Sequence, residues 1–324
     1  MKTYDRFIPI ALGQFTKVAV MAAVLLTTAA CTEKLAQTDA EQSQTEAQGQ
    51  STGELQTGKV FLWSIESPQN TLYLLGSVHL LQEKDYPLPA ALETAYQDAE
   101  RLVFEVDLNE AQSPEVQQLM LKKATLSNGE TLQTVLSPET YQLAEQKAAE
   151  AGLPIQAMAQ FEPWFFSLSL LATKLNQLGF QAQYGVDRHY YDRAVKDGKE
   201  ISALETIADQ ISVFDALNPS NQDDYVQQTL LELDTLGNSI TDIVQAWKVG
   251  DLATIEDLLF ESFEQYPEMR TKLFDDRNQN WLQTLVPLLE KEEDYLVVVG
   301  AGHLVGDNNV LQLLEDKGYS ADQL

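Results

Sequence analysis

The chain has one cysteine, three histidines and only 21 lysines and arginines in 324 residues, against 49 aspartates and glutamates. A single cysteine excludes an intramolecular disulfide and a structural cysteine cluster for metal. A net charge of −28, with no Lys/Arg stripe to counter it, argues against nucleic acid as a partner, because such a surface repels a polyanion. The apolar run Val18 to Leu26 is too short to cross a bilayer, which takes about 20 residues. That run instead has the setting of an export signal. Lys2, Arg6 and Lys17 precede it, and the small residues Thr27-Thr28-Ala29-Ala30 follow it. Residues 1–30 are therefore set aside from the fold.

Cys31 comes at once after that small-residue site. The arrangement resembles a bacterial lipobox, with Thr28 where Leu is usual. Lipid chains on Cys31 would anchor the mature chain to a membrane. Thr32 in place of Asp after the cysteine favours the outer membrane, by resemblance to Gram-negative lipoproteins. The expected location is the cell envelope, facing the periplasm or the cell surface. Taking Lys2, Arg6, Lys17 and Asp5 from the totals leaves 18 basic and 48 acidic residues, a balance of −30, which fits solubility or a saline habitat. Residues 31–58 are rich in Gln, Thr, Glu, Ser and Ala and bury too little to offset chain entropy, so they read as a tether. The folded part is expected over 59–324.

Within it, Thr71–Leu75, Arg101–Phe104, Glu200–Leu204 and Tyr295–Val299 read as buried strands. Phe61–Ile65, followed by the turn-like Ser67-Pro68-Gln69-Asn70, reads as a hairpin partner of the first. Helices are expected over Tyr141–Ala151, Trp164–Gln177, Tyr225–Leu236, Thr241–Val249, Leu252–Glu264 and Glu268–Glu290. The expected fold is α/β, with α+β as an alternative. Its core is a mixed, largely parallel sheet with flanking helices, and a helical cap is inserted at about 110–195 and 215–290.

One short motif recurs: Leu74-Leu75-Gly76-Ser77-Val78-His79-Leu80 and Val298-Val299-Gly300-Ala301-Gly302-His303-Leu304. Each is a strand followed by Gly-x-x-His, and two of the three histidines occupy it. A glycine just past a strand opens backbone torsions closed to other residues, so a sharp turn would present each imidazole at a strand's carboxyl end. Ligands bind at that edge in open α/β sheets. Glu105 and Glu205 close the other two strand runs. Two His with one or two Glu suit a divalent cation, with a carboxylate free to act as base. The His/Glu set does not distinguish Zn, Mn, Co and Fe.

These strings, with Val103–Asp107, Tyr184–Asp187, Leu204-Glu205-Thr206, Asp276–Trp281 and Val299–Gly306 in the same order, resemble the TraB/GumN family, which includes the Tiki membrane proteases. The resemblance covers residues 60–320 and implies a fold related to the Tiki, erythromycin-esterase and ChaN-like proteins. It places the proposed chemistry on His79, His303 and Glu105, with Ser77 where threonine is commoner. It also implies metal-dependent cleavage of a peptide or protein, or peptide binding as in pheromone shutdown.

Arg277 and Asp187 carry two readings each. Arg277 is a solvated salt-bridge partner or a contact to a substrate carboxylate or oxyanion. Asp187 caps a helix or holds the site. His189 matches no motif and reads as a surface or helix residue, and Trp164, Phe165 and Phe166 as the core of a cap helix. The leading function is peptide hydrolysis with His79, His303, Glu105 and Glu205 as candidate ligands. A non-catalytic peptide-binding lipoprotein, or one with a degenerate site, is the alternative. Sequence does not fix the oligomeric state.

Overall fold

The computed structural model describes residues 58–215, 222–260, 263 and 267–324; the leader, Cys31 and the tether up to residue 57 lie outside them. The strands are β1 (Leu62–Glu66), β2 (Thr71–Ser77), β3 (Arg101–Phe104), β4 (Glu200–Ala203), β5 (Tyr295–Gly300) and β6 (Ala321–Gln323). They form one sheet in the order β4-β3-β5-β2-β1-β6. β1 and β2 make the expected hairpin, with Leu62 opposite Leu75 and Ile65 opposite Leu72. Its turn is set by Ser67, whose hydroxyl accepts from the backbone N–H groups of Gln69 and Asn70.

The four strands β4, β3, β5 and β2 run parallel, so their carboxyl ends share one edge of the sheet. Every residue of β5 is buried, as its unbroken Tyr-Leu-Val-Val-Val run requires of a strand covered on both faces. β4 departs from expectation. It is an edge strand whose residues alternate between exposed and half-buried. β6 was not expected either, because Ala-Asp-Gln carries no apolar pattern; it adds to the far edge by antiparallel pairing with β1.

The longer helices are α1 (Ala90–Asp98), α2 (Pro114–Ala124), α3 (Pro138–Glu150), α4 (Pro163–Gln177), α5 (Val186–Asp197), α6 (Ile207–Asp215), α7 (Gln222–Glu232), α8 (Leu236–Lys248), α9 (Leu252–Phe260), α10 (Asp276–Leu288) and α11 (Val310–Glu315). Several begin as their sequences direct. The Ser113 and Ser137 hydroxyls accept from the N–H groups of Val116 and Thr140, with proline at the next position in both helices. Trp164 and Phe166 of α4 are buried and Phe165 packs against the core. The single long helix expected over 268–290 is broken: a π-type turn, Thr271–Asp275, precedes α10. Among the described residues no helix is long and apolar enough to cross a membrane.

Candidate functional site

Because β2 and β5 are parallel neighbours with Ser77 beside Gly300, the two Gly-x-x-His segments leave the sheet side by side. The torsional reason expected for their glycines does not hold. Gly76 lies within β2, and Gly300 has φ −56°, ψ 138°, open to any residue. What Gly76 provides is space: a Cβ there would lie 2.4 Å from a Phe61 ring carbon. Trp247 of α8 donates its indole N–H to the Gly76 carbonyl at 2.6 Å and pins the end of the strand.

Glu105 and Glu205 emerge from the next two strands, and pairing continues past the strand ends through Glu205 N–H to Glu105 C=O at 3.0 Å. The order along the edge is thus Glu205, Glu105, His303, His79. Two helices supply the rest. Gly185 lets the chain pass against the His79 backbone, since a Cβ there would lie 2.2 Å from the His79 carbonyl oxygen. Two residues on, in the first turn of α5, Asp187 Oδ1 lies 2.9 Å from His79 Nδ1. On α10, Asn278 Oδ1 lies 2.5 Å from His303 Nδ1. The His303 ring sits between Trp281 and Phe274, with centroids at 4.3 and 5.1 Å.

The two imidazoles differ electrostatically. Burial draws the pKa of His79 down, but the charge and hydrogen bond of Asp187, helped by Glu105, outweigh it and leave it raised to about 9. His303 has no carboxylate at Nδ1. Burial and the Arg277 charge hold it well below its ordinary value, so it is neutral, with Nδ1–H donated to Asn278 and Nε2 left as acceptor. Burial pushes the Glu105 carboxyl up, yet Arg277, His79 and the Gly300 N–H at 2.6 Å bring it down to about 2.

Arg277 occupies the middle. Nε and Nη2 both face Glu205 Oε1, at 3.0 and 2.6 Å, and Nη2 also donates to Glu105 Oε2 at 2.7 Å. Nη1 donates to the Leu273 carbonyl at 2.8 Å and faces His303 Nε2 at 3.1 Å. All five donors of the guanidinium are engaged in this arrangement. Glu205 also accepts from Gln210 at 2.7 Å and from the Trp281 indole at 3.2 Å. Gln210 bridges to Glu105 Oε2 at 3.0 Å.

Of the residues singled out in the sequence, His79, Glu105, Glu205, Arg277, His303 and Asp187 gather here. His189 stays apart on α5, its ring beside Tyr86 and Tyr190, and Cys31 lies outside the described residues. Asn278 and Trp281 were present in the motif strings without a role, and Gln210 gave no signal. Tying Nδ1 to an oxygen is how proteins aim Nε2 of a ligating histidine, so His79, His303 and Glu105 carry the donors a cation would use, but Arg277 Nη1 faces His303 Nε2 at 3.1 Å and Arg277 Nη2 donates to Glu105 Oε2 at 2.7 Å. Among the described residues, no group of three or more His, Cys, Asp or Glu is arranged to hold an ion; Arg277 stands among the carboxylates instead.

Curated relatives share this stretch of chain. An uncharacterised protein of Escherichia coli, YbaP, is 26% identical over 261 residues, 79% of this chain and 94% of its own length. Metalloprotease TIKI2 of Danio rerio is 23% identical, over 81% of this chain and 60% of its own length. A metalloprotease TIKI homolog of Amphimedon queenslandica is 24% identical, over 83% and 62%. The chain thus spans about three fifths of these Tiki proteins. No solved structure matches it. The profile of the TraB/PrgY/gumN family matches residues 61–323, and the chain belongs to that family.

Proposed function

We propose that the chain is a metal-dependent peptide hydrolase of the bacterial envelope, held on a membrane through lipid at Cys31. The observation that carries the catalytic part is the pair of imidazoles just past the ends of adjacent parallel strands, each with Nδ1 fixed by its own oxygen partner, beside the ionised Glu105. The name metalloprotease, borne by the Tiki relatives, supports the reaction class. The leader sequence alone supports the envelope.

When bound at His79, His303 and Glu105, a divalent cation would supply Lewis acidity and a water of lowered pKa. The chain's own residues divide the remaining work. Glu105 is ionised, its carboxyl held low by the Arg277 guanidinium beside it, and it serves as a ligand, with general base as the alternative role. Glu205 is assigned chiefly to Arg277, which reaches one of its oxygens through both Nε and Nη2, whereas Glu105 receives a single guanidinium bond. Arg277, with every donor engaged, orients Glu105 and His303 and sets the charge between them. Metal analysis of the purified domain and a peptide-library cleavage assay, with and without chelator, test the reading. Tight peptide binding without cleavage under Zn, Mn, Co and Fe would replace it with peptide sequestration.

A further inference from the structure

His303 has one lone pair to give. Its Nδ1–H goes to Asn278 Oδ1 at 2.5 Å, which leaves Nε2 as the acceptor of the neutral ring. Arg277 Nη1 already faces that atom at 3.1 Å. A zinc–imidazole bond is about 2 Å long, so an ion on the same lone pair would overlap Nη1 where it stands. Glu105 repeats the conflict, because its Oε2 accepts from Arg277 Nη2 at 2.7 Å. The rest of the guanidinium is held elsewhere. Nε and Nη2 reach Glu205 Oε1 at 3.0 and 2.6 Å, and Nη1 donates to the carbonyl of Leu273, inside the π-type turn, at 2.8 Å. Only the second hydrogen of each terminal nitrogen meets a donor that an ion would use. Glu205 is itself fixed by Gln210 and by the Trp281 indole. The Arg277 side chain is 14% exposed against 3% for His303, so it is not enclosed on every side.

We propose that Arg277 is the resident cation of the site and gives up its place by exchange: the guanidinium releases His303 Nε2 and Glu105 Oε2 to a divalent ion and keeps its hold on Glu205. The inference rests on the metal-dependent reading and concerns how the ion is admitted. Until the exchange, Arg277 is paired with both Glu105 and Glu205. Neither carboxylate is then buried without a counter-charge, a state that costs several kcal/mol. After it, the ion compensates Glu105 and Arg277 compensates Glu205. That division gives the second carboxylate a function of its own, as the place where the arginine stays.

The test is a titration of the purified full-length protein with Zn against a competing chelator dye. His303→Ala is run alongside to subtract ions held by the acidic surface. Arg277→Met should bind Zn at the His303-dependent site at least about tenfold more tightly than the wild type, because hydrogen bonds from a charged donor no longer oppose it. A gain of affinity is a result that misfolding cannot imitate. Should Arg277→Met fail to fold, the wild type decides alone. In its Zn-loaded crystal structure, Nη1 should lie beyond hydrogen-bond reach of His303 Nε2, with Zn on that nitrogen and the Glu205 contact kept. Equal or weaker Zn binding by a folded Arg277→Met would overturn the exchange and leave the metal reading standing. Zn seated at the site with the Arg277–His303 contact intact would do the same. Zn bound by Arg277→Met and refused by the wild type upholds the exchange and counts against metal dependence of the wild type. Zn bound by neither counts against both.

Discussion

Arg277 grips Glu205 through two nitrogens, Nε at 3.0 Å and Nη2 at 2.6 Å from the same oxygen, and the side chains of both residues are at most 14% exposed. Removing Arg277 leaves Glu205 buried without its counter-charge, at about 3–5 kcal/mol, whereas removing Glu205 leaves Arg277 still paired with Glu105 at 2.7 Å. Arg277→Met should lose stability on that scale in urea denaturation, and Glu205→Leu should lose less. The double variant should lose less than the sum of the two by at least about 1 kcal/mol. Additive losses would mean that the two residues act separately.

Asp187 and Asn278 are expected to act through the imidazoles they hold. Asp187→Asn removes the charge that overrides burial at His79, so the imidazole pKa, followed by NMR, should fall from about 9. Metal affinity should drop by about 10–100-fold in Asp187→Asn and in Asn278→Leu. A His79 pKa unmoved in the first variant would show that Asp187 does not set it.

Much of this arrangement was legible in the sequence because it sits on apolar strands of ordinary length. Gly76-x-x-His79, Gly300-x-x-His303 and Glu105 each follow such a run, and a shared edge follows from parallel pairing. Glu205 was read from a run that proved to be a half-exposed edge strand. What escaped depends on tertiary approach. Nothing local marks Gln210 as a bridge between two carboxylates, or Asn278 as the residue that meets His303 across the fold. The role of Gly76 also escaped, because the Phe61 ring it accommodates belongs to the residue just before the partner strand. The π-type turn before Arg277 was hidden in a continuous helical pattern, and β6 has too little apolar character to read as a strand.

Stability should peak near pH 6.5 when chelator is present. His303 is buried neutral, so the unfolded chain binds a proton below about 6.5 that the folded chain refuses, and stability falls as pH falls. His79 acts in the opposite sense. Its contribution is complete below about 6.5 and is lost as pH rises through about 9. Glu105 contributes above about 4.5 and loses its contribution as pH falls toward about 2. Urea midpoints between pH 4 and 9 check this. In His79→Gln the decline between pH 6.5 and 9 should shrink, and an unchanged alkaline limb would contradict the assignment.

Cys31→Ser should leave the domain folded and move it from the membrane fraction to the soluble envelope fraction, since the lipid is proposed as its attachment. Fractionation with a circular-dichroism check on the released protein measures both. Retention of the variant on the membrane would remove the lipid anchor from the account.

The most direct test is to measure bound metal and peptide turnover on the same samples of wild type, His79→Ala, His303→Ala and Glu105→Gln. With both histidines and Glu105 as ligands, each variant should lose metal and turnover together. A Glu105→Gln protein that keeps its metal but loses turnover would make Glu105 the base instead. Wild-type turnover in all three variants would contradict the site.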